Sequence, residues 1–311
     1  MAVQAIVADP DVPATMHLHQ VQEPSPGPGQ VVIAVQHISL NFGDLNDARS
    51  GRVPPGAVLG SDVAGVVTQA AGNGTGPRVG TRVVALANGG FAQRIAVDAD
   101  SVAAVPPTVD LSHAAALPIA GLAALRALRA CGSVLAKRVL ITGASGGVGS
   151  YAVQLASSAG AHVIASVGSA ARGRGLREDG AADVVIGLNG IDQPVDAILD
   201  TVGGPQMVEA WGLLAPGGSL QSIGWTSGQP AVFPAYATIG PAKTLSSYLT
   251  YGPVGADLRT LVDLLAAGDL VVKVGWRSGW DQVSEAVSQM RDRKVNGKAV
   301  LDVPADTPDP G

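Results

Sequence analysis

Residues 138–160 read RVLITGASGGVGSYAVQLASSAG, and this stretch decides the fold. A short apolar run rich in β-branched residues, 138–142, leads into a glycine-rich turn and then into a helical pattern that Gly160 can end at a C-cap. A strand, a glycine turn and a helix in this order bring backbone N–H groups at a helix N-terminus up to an anionic ligand. The turn is therefore a candidate pyrophosphate site, and the alternative is a plain tight connection.

The glycine fingerprint of dinucleotide sites, G-x-G-x-x-G, is matched with one departure. In order, its positions hold Ala144, Ser145, Gly146, Gly147, Val148 and Gly149. Since alanine replaces the first glycine, the motif alone is a weak indicator, and the rest of the chain has to supply the context.

Composition limits the class of protein. The length of 311 residues suggests two domains, and 47% hydrophobic with 14% charged residues indicates a globular chain with an ample core. A net charge of −5 without any run of Lys or Arg argues against a nucleic-acid partner. We find no basic leader and no apolar run of about 18 residues, so the sequence predicts a cytoplasmic protein without a membrane partner. The single cysteine, Cys131, excludes an internal disulfide and a multi-cysteine zinc site.

The pattern of elements changes along the chain. Residues 1 to about 115 contain short β-prone runs separated by Pro and Gly, whereas residues 114–130 form an Ala/Leu-rich helical stretch. Strand-like runs then alternate with helical segments, as a doubly wound parallel sheet requires; these runs are 138–142, 162–167, 183–186, 197–201 and 219–223. The closing elements, helices 257–267 and 280–293 and a strand at 299–303, are expected to return to the N-terminal module, with a loose tail from Pro304.

The second strand of this region bears on the choice of cofactor. An NAD site places an acidic residue about 20 residues after the fingerprint, at the end of the second strand, to bind the ribose 2′-OH. Here that strand ends Ala165-Ser166-Val167-Gly168-Ser169, without an acid, and Arg172 and Arg174 follow. A guanidinium there could meet a 2′-phosphate, so the sequence predicts NADPH rather than NADH. The alternative is that both arginines are solvated surface charges.

Further motifs occur in a compatible order. They are 41–44 (NFGD), 60–65 (GSDVAG), 80–83 (GTRV), 89–92 (GGFA), 115–118 (AALP), 195–204 (VDAILDTVGG), 216–218 (PGG) and 297–301 (GKAVL). With the glycine turn, they resemble the medium-chain dehydrogenase/reductase superfamily, specifically its zinc-free quinone oxidoreductase (zeta-crystallin-like) and enoyl reductase branch. The resemblance covers nearly the whole chain. It implies an α/β fold in which a Rossmann NADPH-binding domain, residues 116–253, is combined with a GroES-like β-rich catalytic domain, residues 1–115 and 254–311.

The resemblance also implies the chemistry. Zinc members of the superfamily carry a histidine and a cysteine at the places where this chain has Ser61 and Asn41, so no catalytic metal is expected. Without a Lewis acid, alcohol oxidation loses its usual stabilisation of an alkoxide, whereas hydride delivery to a quinone or a conjugated C=C bond needs only hydrogen bonds at the developing oxyanion. The expected activity is NADPH-dependent reduction of a quinone or an α,β-unsaturated carbonyl compound, either an enone or an enoyl thioester.

Candidate site residues follow from the same match. Asn41 is placed at the nicotinamide and substrate cleft, although a turn-forming asparagine is the alternative, and Asp44 is expected to fix the local backbone. Tyr236 is the second catalytic candidate, against a packed loop aromatic. Besides residues 144–148, the candidates for cofactor binding are Ser166, Arg172, Thr201, Val202 and Gly224.

Two departures from the family pattern keep a second function open. Arg52 stands where many relatives have a tyrosine proton donor, so that protonation would come from water, and Ala123 replaces a threonine near nicotinamide. A scaffold or sensor that binds NADPH without turnover is therefore the alternative. The β-prone run 244–250, at the expected open edge of the sheet, predicts a homodimer formed edge to edge, by analogy with related reductases.

Overall fold

The computed structural model describes residues 2–240, 242–250 and 252–305. Its strands are β1 (Ala2–Ala8), β2 (Met16–Gln22), β3 (Gln30–Leu40), β4 (Asp62–Gln69), β5 (Arg82–Leu86), β6 (Arg94–Asp98), β7 (Val102–Ala104), β8 (Arg138–Ile141), β9 (His162–Val167), β10 (Asp183–Ile186), β11 (Val195–Asp200), β12 (Leu214–Ser222), β13 (Thr244–Ser247), β14 (Val274–Gly279) and β15 (Lys298–Asp302). Its α-helices are α1 (Phe42–Ser50), α2 (Leu111–Ala115), α3 (Pro118–Ala130), α4 (Gly147–Ser158), α5 (Gly204–Leu213), α6 (Gly255–Ala267) and α7 (Val283–Arg291).

The chain divides into two compact units, residues 1–122 with 251–311 and residues 123–250. The functional boundaries expected after residues 115 and 253 stay a prediction. Of the expected loose tail from Pro304, residues 306–311 lie outside the described part of the chain. Within the described residues, we find no helix that is long and apolar enough to cross a membrane.

The first unit is built on a mainly antiparallel sheet. Its strands run in the order β14-β15-β3-β4-β5-β7, with β6 also paired to β3, and β1 and β2 form a separate antiparallel pair. Strand β15 pairs with β3, and Leu301 lies opposite Ile38, so the C-terminal segment does return to the N-terminal module. Core side chains come from both ends of the chain, among them Ile33, Phe91 and Trp280.

The second unit is a parallel sheet in the order β10-β9-β8-β11-β12-β13. Strands β8, β9 and β11 are buried almost throughout, which is typical of parallel strands covered on both faces. The chain winds outward from β8 in one direction through β9 and β10, and in the other through β11, β12 and β13. The order therefore reverses between β8 and β11, where the carboxyl ends of doubly wound strands form a ligand crevice. The predicted fold class is confirmed.

Two local expectations differ from the structure. The helical stretch predicted over residues 114–130 is interrupted, because α2 ends at Ala115 and Pro118 starts α3. Proline lacks the N–H that a continuing helix needs but fits the first turn of a new one. The stretch predicted as one helix at residues 280–293 begins as a 3-10 turn, Trp280–Gln282, before α7.

Candidate functional site

The glycine turn lies at the point where the strand order reverses, directly after β8. Gly143 has φ +61°, and a Cβ there would lie 2.3 Å from Thr201 Oγ1. At Gly149 a Cβ would lie 2.3 Å from the carbonyl oxygen of Gly143. Both approaches are shorter than any Cβ contact tolerates, so glycine at these two positions sets the shape of the turn.

The turn opens into the N-terminus of α4. Gly146 is the N-cap residue, and Gly146, Gly147 and Val148 are half-buried, so that the turn is accessible. The first N–H groups of a helix have no acceptors within the helix, and the helix dipole adds a partial positive charge at this end. An accessible end of this kind suits a phosphate or pyrophosphate group.

Arg172 contacts the glycine turn, although it lies 27 residues after Ser145 in the chain. It is part of a 3-10 turn, Ala170–Gly173, and its Nη1 donates to Ser145 Oγ over 3.1 Å. Its side chain is half-buried, whereas Arg174 is exposed. The structure thus brings the predicted phosphate arginine to the fingerprint and leaves Arg174 at the surface.

Ser166 is fully buried below the turn, and its hydroxyl is bonded within the protein. It donates to the carbonyl oxygen of Gly187 over 2.6 Å and accepts from Gln206 Nε2 over 3.0 Å, while its own carbonyl oxygen accepts from the N–H of Ala144 over 3.0 Å. Gln206, on α5, was not among the residues predicted for this site. No sequence signal marks it, because its partner lies 40 residues away and the two meet only through the fold. A cofactor contact by Ser166 stays a prediction.

A buried carboxylate joins β8 to β11. Asp200 accepts from Thr142 Oγ1 over 2.5 Å and from the N–H of Gly203 over 2.8 Å, and it is fully buried. Burial raises its pKa above the ordinary value, and these donors oppose that shift. Thr201 is tied to the same strand end, because its N–H donates to Thr142 Oγ1 and its hydroxyl donates to the carbonyl oxygen of Thr142. This network fixes Thr201, at the carboxyl end of β11, to Thr142, which leads into the glycine turn.

The remaining candidates of this unit lie on the segment after β12 and on the turn after β11. A Cβ at Gly224 would lie 2.8 Å from the carbonyl oxygen of Thr201, so the backbone passes close to that residue. Val202 is half-buried. Tyr236 has φ +69° and is 80% exposed, so its side chain is not a packed loop aromatic, and its catalytic role stays a prediction.

A second polar cluster surrounds Asn41 in the first unit. Lys298 Nζ donates to Asn41 Oδ1 over 2.5 Å, to Asp62 Oδ2 over 3.0 Å and to the carbonyl oxygen of Leu40 over 3.3 Å. Asn41 Nδ2 donates to Asp62 Oδ2 over 2.9 Å, and the N–H of Ile119 donates to Asp62 Oδ1 over 2.8 Å. Lys298 is 4% exposed and Asp62 is not exposed at all. A buried ion pair therefore holds both ends of the Asn41 amide.

Asp44 completes this cluster from the first turn of α1. Its Oδ2 accepts from the N–H of Asn41 over 2.7 Å, the contact of a capping box, so it does fix the local backbone. Burial is the main reason that its pKa is raised to about 7, and repulsion by Asp62 adds to the shift. Hydrogen bonds from the backbone N–H and from the side-chain amide of Asn41, and the charge of Lys298, act in the opposite direction.

Among the described residues, no group of three or more His, Cys, Asp or Glu side chains is arranged to hold a metal ion. Asp44 and Asp62 are the carboxylates next to Asn41, and Lys298 already binds Asp62.

Comparison with known proteins gives the family. A model described as "Alcohol dehydrogenase GroES-like domain" matches residues 27–107, and one described as "Zinc-binding dehydrogenase" matches residues 177–301. The chain is 31% identical over 318 residues to prostaglandin reductase-3 of Bos taurus, covering 90% of this chain and 83% of the relative. It is 30% identical over 332 residues to a mycocerosic acid synthase-like polyketide synthase of Mycolicibacterium smegmatis, covering 97% of this chain. The chain spans only 15% of that relative's length.

Solved structures agree. The chain matches mycobacterial Rv1454c complexed with NADPH at a TM-score of 0.85 and 25% identity, covering 97% of this chain and 100% of that one. Fold, ordered motifs and sequence similarity together define a two-unit α/β protein with a glycine turn at the switch point. The chain belongs to the medium-chain dehydrogenase/reductase superfamily, in its quinone oxidoreductase and enoyl reductase branch.

Proposed function

We propose that this protein is a zinc-independent, NADPH-dependent reductase that transfers hydride to a quinone or to the C=C bond of an α,β-unsaturated carbonyl compound, an enone or an enoyl thioester. The observation that carries the proposal is the accessible glycine turn at the N-terminus of α4, with Arg172 held against Ser145. Membership of a reductase branch and the similarity to bovine prostaglandin reductase-3 support the same class of reaction.

The chain's own groups fit the cofactor. The α4 N-terminus offers backbone N–H groups to the pyrophosphate, and glycine at position 149 lets the turn fold tightly against the helix. Arg172 supplies a positive charge for the 2′-phosphate, and no acid ends β9 to favour a 2′-OH. NADPH, when bound, supplies the hydride. The Rv1454c structure, a complex with NADPH, supports this choice of cofactor.

We assign to Asn41 the binding of the substrate's carbonyl oxygen. A hydrogen bond from its amide would orient the reacting face and stabilise negative charge that develops on that oxygen. Arg52, in place of a tyrosine, is exposed and paired with Asp47 over 3.0 Å, so we assign the proton to water. The names of the bovine reductase and of the polyketide synthases are compatible with a carbonyl substrate, a small molecule rather than a macromolecule.

Zinc independence has a structural argument beyond the replacement of ligands. Asn41, at the place of one replaced ligand, and the neighbouring Asp62 bind the ammonium group of Lys298 through their side-chain oxygens, over 2.5 and 3.0 Å. A divalent cation at this place would meet a positive charge instead of free ligands. We therefore expect activity to survive exhaustive chelation, and tightly held stoichiometric zinc in active protein would contradict the proposal.

A homodimer belongs to the same proposal. Strand β13 ends the described order of the parallel sheet and pairs only with β12 there. Large apolar side chains are exposed on this strand and on the loop before and after it: Val232, Tyr236, Ile239, Leu245 and Leu249. An unpaired edge next to exposed apolar side chains is a typical site for pairing with a second copy of the chain.

The experiment for the cofactor measures dissociation constants of NADPH and NADH for the wild type, Arg172→Ala and the exposed control Arg174→Ala. Loss of one charge-assisted phosphate contact should cost about 1.5–3 kcal/mol, so Arg172→Ala should weaken NADPH binding about tenfold or more and leave NADH binding unchanged. Arg174→Ala should bind both as the wild type does. Equal binding of the two cofactors by the wild type would contradict the proposed preference.

A further inference from the structure

The cluster at Asn41 contains more than a helix start requires. Capping of α1 requires hydrogen bonds to the first backbone N–H groups, and Asp44 supplies one of them. It does not require an ion pair, here 3.0 Å between Lys298 Nζ and Asp62 Oδ2, buried beside the amide. Because desolvation makes a buried pair no more stable than apolar side chains of similar volume, the pair gives little stability in return for its burial. Its position suggests another use.

The pair assigns the two ends of the amide without ambiguity. An ammonium group can only donate, so the atom of Asn41 that lies 2.5 Å from Lys298 Nζ is the oxygen. A carboxylate can only accept, so the atom that lies 2.9 Å from Asp62 Oδ2 is the nitrogen. Rotation of the amide by 180° would place donor against donor and acceptor against acceptor. The ion pair therefore locks one orientation of the Asn41 side chain.

The two N–H groups of the amide are bound unequally in this arrangement. Nδ2 carries two hydrogens, and one binds Asp62 over 2.9 Å; the other has weaker acceptors, the carbonyl oxygen of Ser39 at 3.5 Å and the carboxyl group of Asp44. The ammonium group at Oδ1 withdraws electron density from the amide and strengthens its N–H groups as donors. All partners of Nδ2 are oxygens that accept, so a ligand group that replaces the weaker ones at the second N–H would be a hydrogen-bond acceptor, such as a carbonyl oxygen.

We propose that Lys298 and Asp62 are positioning residues, which lock the Asn41 amide so that its second N–H is presented to the carbonyl oxygen of the substrate. This proposal rests on the proposed function through the role of Asn41. The group of the substrate that binds Asn41 is then a hydrogen-bond acceptor. The buried ion pair contributes to turnover, although neither charged group contacts the substrate.

The test is a double-mutant cycle on turnover with NADPH and the reactive enone or quinone found in a substrate panel. Lys298→Met removes the ammonium group, Asn41→Ala removes the amide, and the double variant removes both. Each single change should lower kcat about tenfold or more, and the double variant should be no slower than Asn41→Ala, because Lys298 acts only through Asn41. Lys294→Met, at an exposed lysine of the same segment, should leave kcat unchanged.

A second measurement is independent of activity and of the cofactor. In protein labelled with 15N at asparagine, the two side-chain NH₂ signals of Asn41 are assigned from their loss in Asn41→Ala. The N–H bound to Asp62 should show slow hydrogen exchange in the wild type. Asp62→Asn keeps an acceptor for the N–H of Ile119 but removes the charge, and in this variant the exchange of the Asn41 NH₂ group should become faster. Thermal unfolding of each variant shows whether the fold is retained.

The outcomes separate the two proposals. If Lys298→Met lowers kcat by the same factor with and without Asn41, the positioning role is overturned. If the Asn41 N–H that binds Asp62 exchanges rapidly in the wild type, the lock itself does not exist. If the exchange is slow and depends on Asp62 but Asn41→Ala turns over normally, the lock stands and the substrate role assigned to Asn41 under the proposed function fails.

Discussion

Asp44 places a carboxyl group with a pKa near 7 inside the first unit, and this gives the protein a specific pH dependence. Because the folded pKa lies above the ordinary value of 3.8, the folded protein binds more protons than the unfolded chain between these two values. The contribution of Asp44 to stability is therefore most favourable below pH 4 and is lost as pH rises through about 7.

Asp44→Asn tests this at the residue scale, since asparagine has the shape of the protonated acid and still accepts from the N–H of Asn41. The variant should be more stable than the wild type at pH 8, by on the order of 2–4 kcal/mol, and about equally stable at pH 4. Chemical denaturation across this pH range measures the difference. Asp47→Asn, at a partly exposed position of the same helix, is the control, and a difference for Asp44→Asn that does not change with pH would contradict the explanation.

Single residues also show where prediction from sequence ends. Arg172 was predicted as a site residue because it follows the second strand at a known spacing, and the structure brings it to Ser145. The sequence marks Lys298 only as part of the stretch GKAVL, since lysine is ordinarily exposed and its partner Asn41 lies 257 residues away. No sequence pattern indicates Gln206 either, because its partner Ser166 is also distant in the chain. Such contacts depend on the tertiary fold and have no local pattern.

At the scale of elements, buried parallel strands were the easiest to predict. Strand β9 has the bounds expected from its apolar and β-branched run, because burial on both faces leaves an uninterrupted pattern. Strand β10 also has its expected bounds, although it is a half-buried strand at the edge of the sheet. Strand β14, with the sequence VGWRSG, was not predicted, since it contains two glycines and an arginine. This strand is stabilised by its pairing with β15. Helix α1 is rich in polar residues, and its bounds are set by the capping residues Asn41 and Gly51.

The glycine turn gives a prediction for one element. Gly149→Ala would place a Cβ 2.3 Å from a backbone oxygen and 2.6 Å from Ala144 Cα, so the turn and α4 must move apart. We expect a loss of about 1–3 kcal/mol in stability and a clear loss of NADPH affinity. Gly212→Ala is the matched control, because a Cβ there meets nothing within 4 Å. It should be neutral or slightly stabilising by denaturation. Wild-type NADPH affinity in Gly149→Ala would contradict the role of the turn.

At the scale of the whole molecule, the exposed edge predicts the oligomeric state. Light scattering at micromolar concentration should give a dimer for the wild type, and Leu245→Lys on β13 should shift it toward monomer by placing a charge at the pairing edge. Val79→Lys, at an exposed apolar side chain of the other unit, is the control and should leave the dimer intact. A monomeric wild type would contradict dimer formation through β13.

The central claim is direct hydride transfer from NADPH to an unsaturated carbonyl compound or a quinone. The most direct measurement is incubation of chelator-treated protein with NADPH deuterated at C4 and a panel of enones, enoyl thioesters and quinones. It follows cofactor oxidation by absorbance and the position of the label by mass spectrometry and NMR. The account predicts cofactor oxidation with at least one class and, for an enone, deuterium at the β-carbon of the product. Tight NADPH binding without oxidation across the whole panel would contradict it and favour a scaffold or sensor, and an unlabelled product under non-exchanging conditions would contradict direct transfer.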